Sequence, residues 1–334
     1  MLDQRSRKRR EFESLEPVDE NQYFFQNPFV AGGKGEQTAQ ACAMGWFLQL
    51  SPPVSTHHVK WQIPVLQRTL STGLNVLKKI TLLGDRVKDW DSYPFSVQAI
   101  RCLKELSFRS RVCFFAGENG SGKSTLLEAI AAHYGFGREG GNRNFQNDST
   151  ESNHSVDTLV SALRLSFDKR TGAGYFLRAE SFFNTISHMD DLDKEPAYHA
   201  PPISNFYGGR SLHTRSHGET FFTLLELKFQ RNGLFLLDEP EAALSPQRQL
   251  SFLVLIHDTL RKHKDAQFII STHSPVLLGY PGAQILSFDE GRIHEIEYEE
   301  TAPVQVVQRF VNDRENFLEA LLKETPSLFE KKSG

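Results

Sequence analysis

The sequence predicts an α/β domain built on a mostly parallel sheet flanked by helices. Three features carry that reading: short β-type runs, amphipathic helical stretches between several of them, and a glycine-rich turn joining one such run to one such helix.

Residues 1–75 stand apart from this pattern. They hold a basic start (Arg5, Arg7, Lys8, Arg9, Arg10), the Gly32-Gly33-Lys34-Gly35 stretch and Pro52-Pro53, with no sustained period of 2 or 3.6. An irregular extension is expected, with one short apolar helix around 39–50. No apolar region follows the basic start, so it reads as a solvated tail or a weak phosphate-backbone arm, not as a secretory signal. His57-His58 lack metal-ligand spacing to a third partner and read as surface residues.

From residue 76 the β-type runs fall at 76–83, 111–116, 174–178, 234–237, 267–271 and 283–288. Phe235-Leu236-Leu237 and Phe268-Ile269-Ile270 are apolar at successive positions, which suits strands covered on both faces. Residues 137–155, rich in Gly, Asn, Ser and Asp, are expected to form a mobile loop. Residues 302–323 read as helical, with a break at Asn312-Asp313. The α/β body is therefore placed at 76–300, with a helical segment over 301–334.

Composition sets outer limits. Of 334 residues, 39% are hydrophobic and 24% charged, as in an ordinary globular chain. No run approaches the roughly 18 apolar residues of a membrane helix. A formal charge of −3 makes the surface as a whole no nucleic-acid magnet, so any such contact needs a local basic patch. Three separated cysteines without a C-x-x-C pair fit a reducing cytoplasm better than a disulfide framework.

The strongest chemical signal is Gly117-Glu118-Asn119-Gly120-Ser121-Gly122-Lys123-Ser124, followed by Thr125. It satisfies G-x-x-x-x-G-K-[ST] at every fixed position and lies between an apolar run and a helical stretch. Glycines let backbone N–H groups converge on phosphates, and the helix N-terminus adds positive potential. Lys123 is expected to reach the β- and γ-phosphates of ATP, and Ser124 to ligate Mg²⁺. A second signal is the apolar run ending in Asp238-Glu239. Such an acid at a strand's C-terminal end beside a phosphate loop holds the Mg²⁺ shell, the role expected of Asp238. Glu239 is placed to orient or deprotonate an attacking water. Alone, Asp238-Glu239-Pro240 would read equally as a polar turn; the complete phosphate loop upstream decides for chemistry.

Here a family resemblance enters. Leu236-Leu237-Asp238-Glu239-Pro240-Glu241 with Ala243-Leu244-Ser245-Pro246 resembles the Walker B and D-loop of ABC-type ATPases. Ile270-Ser271-Thr272-His273-Ser274-Pro275 resembles their H-loop, which implies that His273 is the switch histidine. Ser216-His217-Gly218-Glu219 resembles the ABC signature, implying nucleotide contacts from Ser216 and Gly218. Together with 207–213 and 176–183, these motifs look like compact bacterial predicted AAA-family ATPases of ABC/SMC type. The resemblance covers about 76–325. It implies an ABC-ATPase-like head that hydrolyses ATP with Mg²⁺. It also implies a head-to-tail, ATP-dependent homodimer working with an effector in DNA transactions or antiviral defence, without a membrane role.

Two departures shape this expectation. His217 stands where the signature usually has a glycine, which keeps open a second reading: an ATP-gated interaction module with little or no turnover. Only 93 residues separate Lys123 from Ser216, too few for the long coiled coil of SMC proteins. Weaker candidates are Glu180 in the place of a Q-loop glutamine, Tyr93 and Phe95 as adenine-stacking or core aromatics, and Arg210 and Arg215 as phosphate-directed or surface cations. A P-loop kinase is disfavoured, since it has no use for a switch histidine or a signature.

Overall fold

Val112–Ala116 (β3), Gly233–Asp238 (β6) and Ala266–Ser271 (β7) are buried at every position. Their unbroken apolar runs suit strands shielded on both faces. The computed structural model describes residues 75–137, 156–180, 182 and 217–324, with 217–219 described by backbone alone. All of these fall within the unit Pro64–Gly334. The expected helix at 39–50, His57-His58 and most of the loop at 137–155 lie outside the described residues.

With Gly174–Arg178 (β5), Gln284–Ser287 (β8) and His294–Ile296 (β9), these strands form a six-stranded sheet in the order β5-β6-β7-β3-β8-β9. Five strands are parallel, and β9 runs antiparallel on the β8 edge. Helices Lys123–Tyr134 (α2), His217–Lys228 (α4) and Pro246–Lys262 (α5) flank it, giving an α/β P-loop-type architecture. Pro275–Leu278 (α6) is a single short turn, and Ala302–Asn312 (α7) and Arg314–Glu324 (α8) follow with their break at Asp313.

One expected strand belongs elsewhere. The run at 76–83 forms Leu77–Leu82 (β1), but it pairs antiparallel with Glu105–Ser107 (β2) and Leu163–Phe167 (β4) in a separate three-stranded sheet. Only one face is packed: Leu77, Ile80 and Leu82 are buried while Lys78 is exposed, and a register shift between Leu77 and Lys79 lets residues three apart face the same way.

Two buried amides stitch the sheets together. Gln267 on β7 accepts the Leu77 N–H through Oε1 (2.7 Å) and donates Nε2–H to the Leu77 carbonyl (3.0 Å). Gln284 on β8 accepts the Arg109 N–H (2.9 Å) and donates to the Ser107 carbonyl (3.2 Å). Each polar side chain inside an apolar strand thus satisfies backbone groups that would otherwise be buried without partners.

Candidate nucleotide site

The C-terminal ends of the parallel strands gather the chemistry, as expected of an open α/β sheet. β3 is central, with β7 on one side and β8 on the other. The Thr272 N–H donates to the Phe115 carbonyl (3.1 Å), the Phe288 N–H to the Ala116 carbonyl (2.8 Å), and the Glu239 N–H to the Ser271 carbonyl (2.9 Å). These bonds extend the ladder past the strands and fix where each loop leaves the sheet.

The loop after β3 turns on glycine. Gly117, Gly120 and Gly122 have φ of 141°, 79° and 100°, values that side-chain-bearing residues rarely adopt. A Cβ on Gly122 would lie 2.9 Å from Val97 Cγ1, so the loop also rests closely on the segment opening the short helix Gln98–Arg101 (α1). Lys123, only 4% exposed, folds its ammonium back onto the carbonyls of Gly117 (2.7 Å) and Glu118 (2.8 Å). Burial lowers its pKa, while Glu239, Asp238, Asp289 and Glu118 act to raise it. Its charge is thus surrounded by acids and partly stripped of water. On the β8 side, Asp289 accepts the Glu118 N–H (2.9 Å), a loop donor taken by a carboxylate.

Across the site, Ser124 Oγ donates to Asp238 Oδ1 (3.0 Å). Burial pushes the Asp238 carboxyl upward, opposed by the Ser124 bond and the nearby Arg178. A hydroxyl and a carboxylate held together are hard oxygen donors suited to Mg²⁺, which is bound by one or two protein oxygens and completed by phosphate and water. Two such donors leave most of the shell to phosphate and water, so the pair fits a nucleotide-borne Mg²⁺.

Glu239 has φ 49° and ψ 51°, left-handed backbone for a residue with a side chain. Such conformations cost about 1–3 kcal/mol and cluster where chemistry needs them. Its Oε1 stands 3.8 Å from His273 Nε2, which has no hydrogen-bond partner among the described residues. The His273 N–H is held by Glu241 Oε1 at 2.6 Å. Ser274 then donates to Gln249 Oε1 (2.6 Å), while Gln249 Nε2 donates to the Leu244 carbonyl (3.1 Å). The loops after β6 and β7 are therefore cross-linked to each other. Burial raises the Glu241 carboxyl, partly offset by the His273 N–H.

The structure thus brings together Gly117–Ser124, Asp238, Glu239 and His273. Thr125 also borders the site, where its hydroxyl pairs with the exposed Tyr93 hydroxyl at 2.9 Å. Phe95 is core, packed edge-on against Trp90. Glu180 points outward with its side chain 74% exposed, and Arg178, not Glu180, faces Asp238. Gly218 lies in the first turn of α4, while Ser216, Arg210 and Arg215 lie outside the described residues. Sequence reasoning passed over Arg178, Glu241 and Asp289. Each sits at or just past a strand end, and the shared signal was a charged residue at that boundary.

Two family models match the chain. One, described as "AAA domain", spans 95–236 and includes the phosphate loop. The other, described as "AAA domain, putative AbiEii toxin, Type IV TA system", spans 217–279 and includes Asp238, Glu239 and His273. Both models are of AAA type, and between them they span 95–279. No curated protein matches it. Among solved structures, the domain is similar to an ATP-binding cassette of an ABC transporter in its ADP conformation, at 14% identity over 75% of this chain and 99% of that one, TM-score 0.39. It is also similar to the SMC head domain from Thermotoga maritima (20%, 66% and 99%, TM-score 0.34). A third is cbiO1 from Clostridium perfringens, part of the ABC transporter complex cbiONQ (17%, 66% and 92%, TM-score 0.36). Among the described residues of the ATPase domain, no helix is long and apolar enough to cross a membrane.

Proposed function

We propose that this chain binds ATP with Mg²⁺ and hydrolyses it, and that ATP-driven closure of two copies switches a partner protein. The carrying observation is the convergence of Lys123, the Ser124–Asp238 pair, Glu239 and His273 at the C-terminal ends of the parallel strands. Ser124 and Asp238 are the residues that would hold Mg²⁺, which supplies charge neutralisation at the phosphates. Lys123 exchanges its two loop carbonyls for phosphate oxygens. Glu239 accepts the proton of the attacking water, its carboxylate aimed by the left-handed backbone. His273 offers its Nε2 to the phosphoryl group in transfer, its backbone N–H held by Glu241.

In this reading residues 76–300 are the ATPase body and 301–334 a helical appendage of a cytoplasmic protein. Ser216 and Gly218 complete the site of the opposite subunit, as the signature resemblance implies. The second family description, which names a putative AbiEii toxin and a Type IV TA system, supports a partner protein, whether in DNA transactions or in antiviral defence.

Phosphate release by the purified chain tests the hydrolysis. Subunit mixing tests the composite site. Ser216→Arg and Lys123→Ala are each expected to be inactive alone, while a mixture regains activity, because the heterodimer contains one intact loop facing one intact signature. Mixtures no faster than either variant, with a monomeric mass in ATP, would sink the dimer model and leave a site acting within one subunit.

A further inference from the structure

Arg178 has no role in the chemistry described so far, yet it occupies a telling position. It is the last residue of β5, and its Cα partner in the neighbouring strand is Asp238. Its Nε lies 3.7 Å from Asp238 Oδ2, Nη1 lies 3.7 Å from Glu128 Oε2 on the phosphate-loop helix, and Nη2 lies 3.5 Å from Glu180 Oε2. All three distances exceed the roughly 2.7–2.9 Å of a strong charge-assisted bond. The guanidinium is thus attracted by three acids and tightly held by none, a third exposed, at the C-terminal end of β5.

We propose that Arg178 contacts the terminal phosphate of bound ATP and so discriminates ATP from ADP; this rests on the ATP-binding reading above. Asp238 already gives one oxygen to Ser124 and turns the other toward Arg178. Neutralising Asp238 with a divalent ion weakens one of the three attractions on the guanidinium. A phosphate oxygen pair offers that planar fork a better-matched acceptor than the long contacts it has. Lys123 serves the β- and γ-phosphates alike, so a second cation that finds its acceptor only on the terminal phosphate gives the site its preference. Arg178 lies at the same C-terminal end of the sheet as the phosphate loop, 3.7 Å from Asp238 and 3.7 Å from Glu128 on the helix that follows the loop.

A plain counter-ion for three acids makes a different prediction, since its loss would weaken both nucleotides alike or only lower the melting temperature. The experiment is calorimetric binding of ADP and of a non-hydrolysable ATP analogue, each with Mg²⁺, to the wild-type chain, Arg178→Ala and Arg178→Lys. Loss of a charged hydrogen bond predicts that Arg178→Ala binds the ATP analogue about 10–100-fold more weakly, with ADP affinity changed by less than about threefold. Arg178→Lys should recover part of the difference. Should Arg178→Ala melt early, Arg178→Gln retains the polar stem and the same ratio decides. An ATP-to-ADP preference unchanged from wild type overturns the assignment of Arg178 and leaves ATP binding standing. A wild-type chain that binds neither nucleotide overturns both.

Discussion

The loop after β3 and the turn after β6 face each other across the site and are held in opposite ways. The first is held mainly through backbone groups: glycine conformations, a ladder of N–H bonds, a lysine folded onto two carbonyls, and the Glu118 N–H donated to Asp289. The second is held by buried charge: Asp238 and Glu241, both pushed upward by burial, and Glu239 in a left-handed conformation. A phosphate cradle can be built from groups that every residue carries. A proton acceptor and a metal shell need ionised side chains, and desolvating them costs stability. The binding half of the site therefore desolvates one charge, that of Lys123, and the half that does chemistry desolvates two, those of Asp238 and Glu241.

The comparison breaks most visibly at Glu239. Glu239→Gln keeps the shape of the turn but cannot accept a proton, so hydrolysis should slow by roughly 10²–10⁴ while ATP binding survives. Single-turnover assays with retained nucleotide check this; normal turnover would remove Glu239 from the chemistry. Lys123→Ala strikes the other half and should weaken binding of a fluorescent ATP analogue by about 100-fold. Unchanged affinity would mean that the loop is not the phosphate site.

The smallest effect is the most diagnostic of cost. Glu241→Gln keeps an oxygen for the His273 N–H but removes a buried charge. It should raise the melting temperature by about 2–4 °C at neutral pH, the change roughly 1 kcal/mol makes in a domain of this size. The Glu241 carboxyl is raised in the folded state, so ionisation penalises folding as pH climbs above the ordinary carboxylate range. The gain from Glu241→Gln should therefore shrink as pH falls toward about 4, where the wild-type group is protonated whether folded or not. A lower melting temperature at pH 7 would show that the carboxylate earns its place as a charge.

Much of this was legible in the residues. β3, β6 and β7 announce themselves because strands covered on both faces must be mostly apolar; Asp238 and Glu239 stand at the end of β6, and Lys123 follows β3 across the glycine loop. The run at 76–83 was legible as a strand but not as part of a second sheet, because local pattern does not name a pairing partner. β2, three residues long, carries too little pattern to read. Arg178 and Asp289 were missed for a related reason. Each matters only through the lateral order β5-β6-β7-β3-β8, which places the ends of distant segments side by side.

That order also bears on how the chain is made. The strand leading into the phosphate loop, β3, pairs on one side with residues 266–271 and on the other with 284–287. A ribosome that has released the chain only through α4 has emitted every residue of the loop but neither strand beside it. Pairings between such distant segments form late. On this topology the loop gains its bed only when residues 266–287 have emerged.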